Sequence, residues 1–373
     1  MQPNGPIAKR FPLIARFRPA CLPLPDRVRS LTEIAEKAAA GNDPGLASTV
    51  FNQAALLASD LGLPDLARSM CQRHAAAYMR ACPLPATSAI RGLEPLVNLA
   101  RLQLRAGRTD DGRQRLLDLY EAVGTATAVS FEGITVPADL TAAVDDRREV
   151  RAWLWRVLLA DGTRALTSTG RWADALAHTE QHRGVGTRML DGRQVAVITA
   201  LTTGQTNCAR ELLTATAPGE PWEQAVTACL TELCRRDARQ PVSDSLAALT
   251  DSYLKSEGQP GTTVFNVRLG LTVLDTVGSP EHPQAQLLVD DLVRRTTQAR
   301  DGYAAREVLG DPLFDVLGQA PQRQQCEDLL RSCALDSGVL PDVLHHDLAT
   351  VLDTGEMVLS RSLTAGELGS PTS

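Results

Sequence analysis

Four glycines, each followed five residues later by a small residue, constrain the fold of this chain more than any other feature. They are Gly62 with Ala67, Gly107 with Gly112, Gly170 with Ala175, and Gly204 with Ala209. The last two glycines stand 34 residues apart, which is the length of a helix–turn–helix repeat unit. Glycine lets the chain reverse after one helix without a Cβ penalty, and the small residue lets the next helix approach closely. The pattern therefore predicts successive antiparallel helix pairs.

Composition favours helix and excludes several classes of protein. The 373 residues are 43% hydrophobic, enough for a sizeable core, but only 4% aromatic, so that alanine and leucine dominate. A net charge of −6 gives no whole-chain footprint for nucleic acid or for an anionic membrane, and no apolar run approaches the ~20 residues of a membrane span. Arginine outnumbers lysine heavily, which together with the alanine content indicates a high-GC bacterial origin.

Changes in pattern along the chain predict four segments. Residues 128–136 read as strand and interrupt the helical pattern. The predicted segments are an extended, basic, proline-rich arm (1–25), regular helical repeats (26–215) with an insertion (121–143), degenerate helical repeats (216–353), and a flexible tail (354–373).

The clearest repeat unit lies between Leu93 and Tyr120. Its packing and turn positions are Leu96, Leu99, Ala100, Gly107, Gly112 and Leu116. These residues resemble the tetratricopeptide-repeat pattern, and residues 46–215 resemble such a region of actinobacterial type. The resemblance implies an all-α, right-handed superhelical solenoid of about six to seven antiparallel helix pairs, with one strand-like insertion. It also implies a concave face, lined by the first helix of each pair, that holds a protein or peptide ligand.

Counting back from each turn glycine predicts which side chains line that groove. The candidates are Asn52, Leu56, Val97, Arg101, Leu104, Arg164, Thr167, Gln194 and Ile198. Arg101 and Arg164 are suited to gripping a carboxylate with two hydrogen bonds, and Asn52 to hydrogen bonding a peptide backbone. The alternative is that these positions are ordinary solvated helix faces.

Catalytic and metal-binding patterns are sparse. Asp145 and Glu149 have the spacing of the acidic metal motif of all-helical terpene synthases, but the second motif of such enzymes is missing. A charged first turn of a helix explains the same residues. His178 and His182 lack the order of a metalloprotease motif, and no cysteine pair has C-x-x-C spacing. We therefore predict no metal and no cofactor.

The basic arm allows two interpretations. Its charges are Lys9, Arg10, Arg16, Arg18, Arg27 and Arg29, which suit nucleic acid or an acidic partner. Its apolar residues are Phe11, Leu13, Ile14 and Phe17, which suit packing as a cap on the first helices. We favour the cap, and we do not expect a nucleic-acid partner.

These observations lead to three hypotheses about function. The first is a cytoplasmic, non-catalytic adaptor or regulatory protein whose groove binds a protein or peptide. The second is a helical component of a peptide-modifying complex in natural-product biosynthesis, which would hold a precursor peptide in the same groove. The third, more remote, is an all-α terpene-synthase-like enzyme.

Overall fold

Helices account for nearly all of the ordered secondary structure in the computed structural model, which describes residues 1–240 and 244–368. The predicted all-α class is confirmed. In chain order the elements are α1 (Pro6–Arg10), α2 (Leu24–Gly41), α3 (Pro44–Asp60), α4 (Pro64–Met79), α5 (Ala86–Arg105), α6 (Thr109–Thr125), β1 (Val129–Phe131), β2 (Ile134–Val136), α7 (Val144–Val157), a π-helical turn (Leu158–Gly162), α8 (Thr163–Thr167), α9 (Trp172–Gln181), α10 (Asp191–Thr202), α11 (Thr206–Thr214), α12 (Pro221–Asp237), α13 (Asp244–Lys255), α14 (Thr263–Val277), α15 (Pro283–Ala299), α16 (Gly302–Leu309), α17 (Pro312–Leu317), α18 (Ala320–Ser332) and α19 (Asp342–Leu368).

The chain forms two compact units that do not follow the predicted segments. Unit I contains Leu24–Ala165 and Ala334–Ser373, and unit II contains Met1–Pro23 and Leu166–Cys333. Each unit is built from two stretches of sequence that lie far apart. The predicted boundaries at residues 215 and 353 therefore do not mark compact units, because local periodicity carries no information on which distant segments pack together.

The four turn glycines are confirmed as helix-pair turns. Their φ angles lie between +73° and +79°, a region that side chains with a Cβ rarely adopt. Each glycine lies between the two helices that the sequence predicts. The small residues that follow them, Ala67, Gly112, Ala175 and Ala209, are all buried. Both halves of the pattern therefore have the structural role predicted for them.

Gly112 shows why the position must be small. A Cβ atom on Gly112 would lie 2.6 Å from Leu104 Cδ2 and 2.8 Å from the carbonyl oxygen of Ala100. The second contact is with backbone of α5, which cannot move aside as a side chain does. The glycine therefore sets the distance between α5 and α6.

We expect Gly112→Ala to lower the free energy of unfolding by about 1–2 kcal/mol, because the cost of overpacking exceeds the gain in helix propensity. Urea denaturation measures the change. Gly41→Ala is the matched control in the same unit, since the nearest atom to its Cβ would be Asp43 Cβ at 4.0 Å. An alanine variant at 112 as stable as the parent would contradict close packing at this position.

In unit I the helices pack in chain order. Each helix from α2 to α6 contacts the next, and alternate helices also touch, α3 with α5 and α5 with α7. The last helix, α19, returns to pack against α2 and α3.

The flexible tail predicted for 354–373 is therefore wrong as far as residue 368, and 369–373 lie outside the described residues. We expected the helical pattern to end near Gly355, but this glycine is a packing position within α19. A Cβ atom there would lie 3.3 Å from Phe51 Cε2. Val351, Leu352, Val358 and Leu359 are buried on the same helix, two on each side of the glycine.

The predicted strand-like segment is confirmed as a hairpin, in which β1 pairs antiparallel with β2 and Phe131 lies opposite Ile134. Glu132 and Gly133 form the two-residue turn, both with positive φ. The insertion is shorter than predicted, because α6 continues to Thr125 and so includes residues 121–125.

The amino-terminal arm belongs to unit II. It is extended from Phe11 to Pro23, but residues 6–10 form the short helix α1, which packs against α14. The apolar arm residues were predicted to pack on the first helices. Phe11 and Leu13 instead belong to the core of unit II, whereas Phe17 is 75% exposed. The arm thus packs as a structural segment, but on helices more than 150 residues away in sequence.

Candidate functional site

A chain of hydrogen-bonded polar side chains crosses unit I on α3, α5 and the π-helical turn. We call this set, Asn52, Glu94, Asn98, Arg101 and Asp161, the polar row. Asn52 Nδ2 donates to Glu94 Oε2 at 2.6 Å, and Asn98 Nδ2 donates to Asn52 Oδ1 at 3.1 Å. Arg101 donates to Asn98 Oδ1 at 3.0 Å and, from Nε and Nη2, to Asp161 Oδ2 at 3.0 and 2.8 Å. Each side chain is held in place by its neighbours.

Helical spacing places three members of the polar row on one face of α5. Glu94, Asn98 and Arg101 stand at i, i+4 and i+7, so they form a single stripe along the helix. Arg105 continues the stripe, and its guanidinium donates to Ser59 Oγ at 2.6 Å and to Asp60 at 3.1 Å. The stripe thus faces α3 along its length.

Asp161 reaches the polar row from the π-helical turn between α7 and α8. Such turns contain one extra residue and occur often at functional sites. The turn interrupts the α-helical pattern where Asp161 stands among Leu159, Ala160 and Gly162, all of them small or apolar. Its carboxylate is largely shielded, with 17% of the side chain exposed, whereas 48% of the Arg101 side chain is exposed.

The electrostatics of the row centre on Glu94. Burial raises the pKa of the Glu94 carboxyl, and the hydrogen bond from Asn52 together with the charges of Arg91 and Arg101 opposes that rise. The side-chain amides of Asn52 and Asn98 each carry two N–H donors, of which the row uses one. The row therefore offers ordered amide donors and a half-exposed guanidinium to a ligand.

The predicted groove residues of unit I divide into two groups. Asn52 and Arg101 are in the polar row, and Leu56 is half-buried one turn along α3 from Asn52. Val97 is only 1% exposed and lies in the core, and Leu104 faces Gly112 on α6. The buried Val97 does not line an open face of α5, and the polar stripe runs through Asn98, one residue further along the helix.

Of the remaining predicted residues, Arg164 belongs to unit I, whereas Thr167, Gln194 and Ile198 belong to unit II. Arg164 is exposed on α8, whereas Thr167 is buried at the end of that helix. Gln194 and Ile198 are completely buried on α10, so neither lines an open groove. Ile198 belongs to the same apolar cluster as Phe11 and Leu13 of the arm.

Gln194 instead binds the main chain of the arm. Its Oε1 accepts from the amide N–H of Leu13 at 2.6 Å, and its Nε2 donates to the carbonyl oxygen of Leu13 at 2.8 Å. A glutamine side chain that bonds to both the N–H and the C=O of one residue recognises its main chain and not its side chain. The face of α10 that was predicted to line an open groove is therefore covered by the chain's own arm.

Sequence reasoning missed Glu94, Asn98 and Asp161. A polar stripe at i, i+4 and i+7 on an otherwise apolar helix was the available signal for the first two. Asp161 stands out in the sequence as the one acidic residue in an apolar run. The direction in which its side chain points depends on the π-helical turn, which no local sequence pattern specifies.

The acidic motif singled out in the sequence lies at the start of α7. Asp145 is 90% exposed in the first turn of α7 and pairs with Arg148, as expected of a charged helix start. Within residues 1–240 and 244–368 no group of three or more His, Cys, Asp or Glu residues is placed to hold a metal ion.

No helix in this part of the chain is long and apolar enough to cross a membrane. Comparison with protein-family models, curated proteins and solved structures finds no match.

Proposed function

We propose that this chain is a non-catalytic, helical-repeat adaptor that binds an extended peptide or protein segment at the polar row of unit I. The observation that supports the proposal is the continuity of the row, in which ordered amides and a guanidinium stand on the alternate helices α3 and α5. The two amides suit the N–H and C=O groups of an extended backbone, and Arg101 suits a carboxylate.

Three features support a tetratricopeptide-like solenoid as the architecture behind this site. The turn glycines adopt positive φ, the small residues after them are buried, and alternate helices touch within each unit. In unit II this last feature extends over α10, α12, α14 and α16. We place the adaptor in the cytoplasm and assign it a regulatory or scaffolding role.

Selection of displayed random peptides on the 373-residue chain tests the binding function. We expect the selected peptides to bind about tenfold more weakly to Arg101→Ala, because one charge-assisted hydrogen bond is worth about 1.5 kcal/mol. Asn52→Ala is expected to weaken the same peptides. Fluorescence anisotropy with a labelled peptide gives the dissociation constants.

Arg148→Ala is the matched control for this experiment. Its side chain is 77% exposed and pairs with Asp145 on α7, away from the polar row. We expect no change in peptide affinity. Peptides that bind the parent, Arg101→Ala and Asn52→Ala equally well would show that the polar row is not the binding site.

A further inference from the structure

The arm is held in unit II as an extended ligand is held by a receptor. Its extended stretch, Phe11 to Pro23, bonds through its main chain to the rest of unit II at separate points, and it also bonds within the arm from Phe11 to Ala8 and from Arg16 to Ile14. Besides the Gln194 pair at Leu13, the Arg18 N–H donates to the carbonyl of Gly261 at 2.8 Å, and the Cys21 N–H donates to Asp301 Oδ1 at 3.0 Å. The N–H of Gly302 donates to the carbonyl oxygen of Cys21 at 2.8 Å. We call this surface of unit II the arm groove.

The arm's arginines meet acidic or aromatic groups of the groove. Arg10 pairs with both Asp275 and Asp311. Arg16 pairs with Asp191 at 2.7 Å, and the Arg18 guanidinium lies 3.8 Å from the centre of the Tyr303 ring.

Two apolar anchors complete the recognition. Phe11 and Leu13 are each 2% exposed, and they follow directly on the first arginine. The arm residues held by the groove are therefore an arginine, then an aromatic residue, then an aliphatic residue two positions on, with a second arginine six residues after the first. The bonds to the main chain add affinity without adding sequence preference.

We propose that the arm groove is a binding site for an extended segment of a partner protein with this arginine–aromatic–x–aliphatic pattern, and that the arm occupies it until the partner displaces the arm. The charge complementarity of the groove and the fit of the arm itself define the partner. The groups that bind the arm all lie in Leu166–Cys333. A segment of another protein with the same residue pattern would offer the same atoms to these groups. This proposal does not depend on the polar row of unit I, and either can fail without the other.

A synthetic, fluorescein-labelled peptide of residues 6–23 is the probe. The protein is the 373-residue chain carrying Phe11→Asp and Leu13→Asp. These substitutions are designed to release the arm, and they leave every residue of the arm groove unchanged. We expect this double variant to bind the probe at least tenfold more tightly than the parent, because the tethered arm competes at an effective concentration of about millimolar. We also expect the peptide to raise the melting temperature of the double variant.

A peptide in which Arg10 is replaced by glutamate is the specificity control, and we expect it to bind at least tenfold more weakly. The proposal is overturned if the double variant keeps its helical circular dichroism but binds neither peptide, or both equally.

If the double variant does not fold, hydrogen exchange measured on the parent chain tests whether the arm can be displaced. We expect the amides of Leu13 and Cys21 to exchange when the arm alone detaches, while the buried amides of α14 stay protected. Exchange of the arm amides only together with those of α14 would make the arm a permanent part of the core and overturn the proposal.

Discussion

Acidification from pH 7 to pH 4 is expected to lower the free energy of unfolding by about 3 kcal/mol through His74 alone, at about 1.4 kcal/mol for each unit of pKa difference. Burial lowers the pKa of this imidazole from 6.5 to about 3. The unfolded chain takes up a proton as the pH falls through 6.5, whereas the folded chain does so only near pH 3. The stability contribution is therefore complete above pH 6.5 and is lost progressively between 6.5 and 3.

The environment of His74 explains the shift. The side chain is 1% exposed on α4 and stacks on Phe51, with ring centroids 5.1 Å apart. Neither ring nitrogen has a hydrogen-bond partner within the described part of the chain. A charged imidazole there would lose its hydration without gaining a counter-charge, so the folded state binds only the neutral form.

The variant His74→Phe separates this effect from that of the carboxylates, which also titrate in acid. We expect its stability to fall less steeply between pH 6.5 and 4, by about 1.4 kcal/mol per pH unit, because phenylalanine cannot take up a proton. Urea denaturation at intervals of half a pH unit measures the slope. If His74→Phe and the parent lose stability in parallel, His74 is not the source.

The sequence predicts local features of this fold well because their causes are local. A positive φ at Gly62 or Gly204 follows from the need to reverse the chain between two helices. The hairpin follows from alternating β-formers around Glu132 and Gly133. Each of these features depends on residues within a few positions of one another, so a single window of sequence contains the whole cause.

Features that depend on distant partners were not predictable in the same way. The helix α19 packs on α3 through Gly355 and Phe51, which are about 300 residues apart in sequence. The arm packs on α10 and α14 for a similar reason, and no periodicity in residues 1–23 identifies those helices. The pattern shows that Phe11 and Leu13 need burial, but not where.

The candidate site lies between these cases. Asn52 and Arg101 were predicted by counting along helices, which fixes the face to within one residue. An error of one residue rotates the face by about 100°, which is enough to exchange the buried Val97 for Asn98 of the polar row. The rotation depends on how α4 and α6 pack against α5, and that is a property of the assembled unit.

Removing the Arg10 guanidinium is expected to lower the free energy of unfolding by about 3–5 kcal/mol, because it leaves buried carboxylates without their counter-charge. Arg10 is 6% exposed and pairs with Asp275 and Asp311, the second of which is 2% exposed. Arg10→Met keeps most of the side-chain volume and removes only the charge and the hydrogen bonds. Urea denaturation of the variant at pH 7 measures the loss.

Arg16→Met is the matched control, since it removes another arm arginine that pairs with one aspartate. The Arg16 side chain is 53% exposed, and an exposed pair of this kind contributes about 0–1 kcal/mol. The burial of the Arg10 pairs, and not the number of charges, is therefore the cause of the expected difference between the two variants.

The pH dependence of Arg10→Met gives a second test. Burial already raises the pKa of the Asp275 carboxyl, and the Arg10 charge opposes that rise. Without Arg10 the pKa of the Asp275 carboxyl rises further above that in the unfolded chain, so the folded chain takes up a proton more readily as the pH falls. The stability deficit of the variant is then expected to shrink as the pH falls from 7 to 5, and replacing both aspartates by asparagine is expected to recover part of it at pH 7. A deficit that is equal at both pH values and unaffected by the asparagines would mean that lost packing, and not unpaired charge, destabilises the variant.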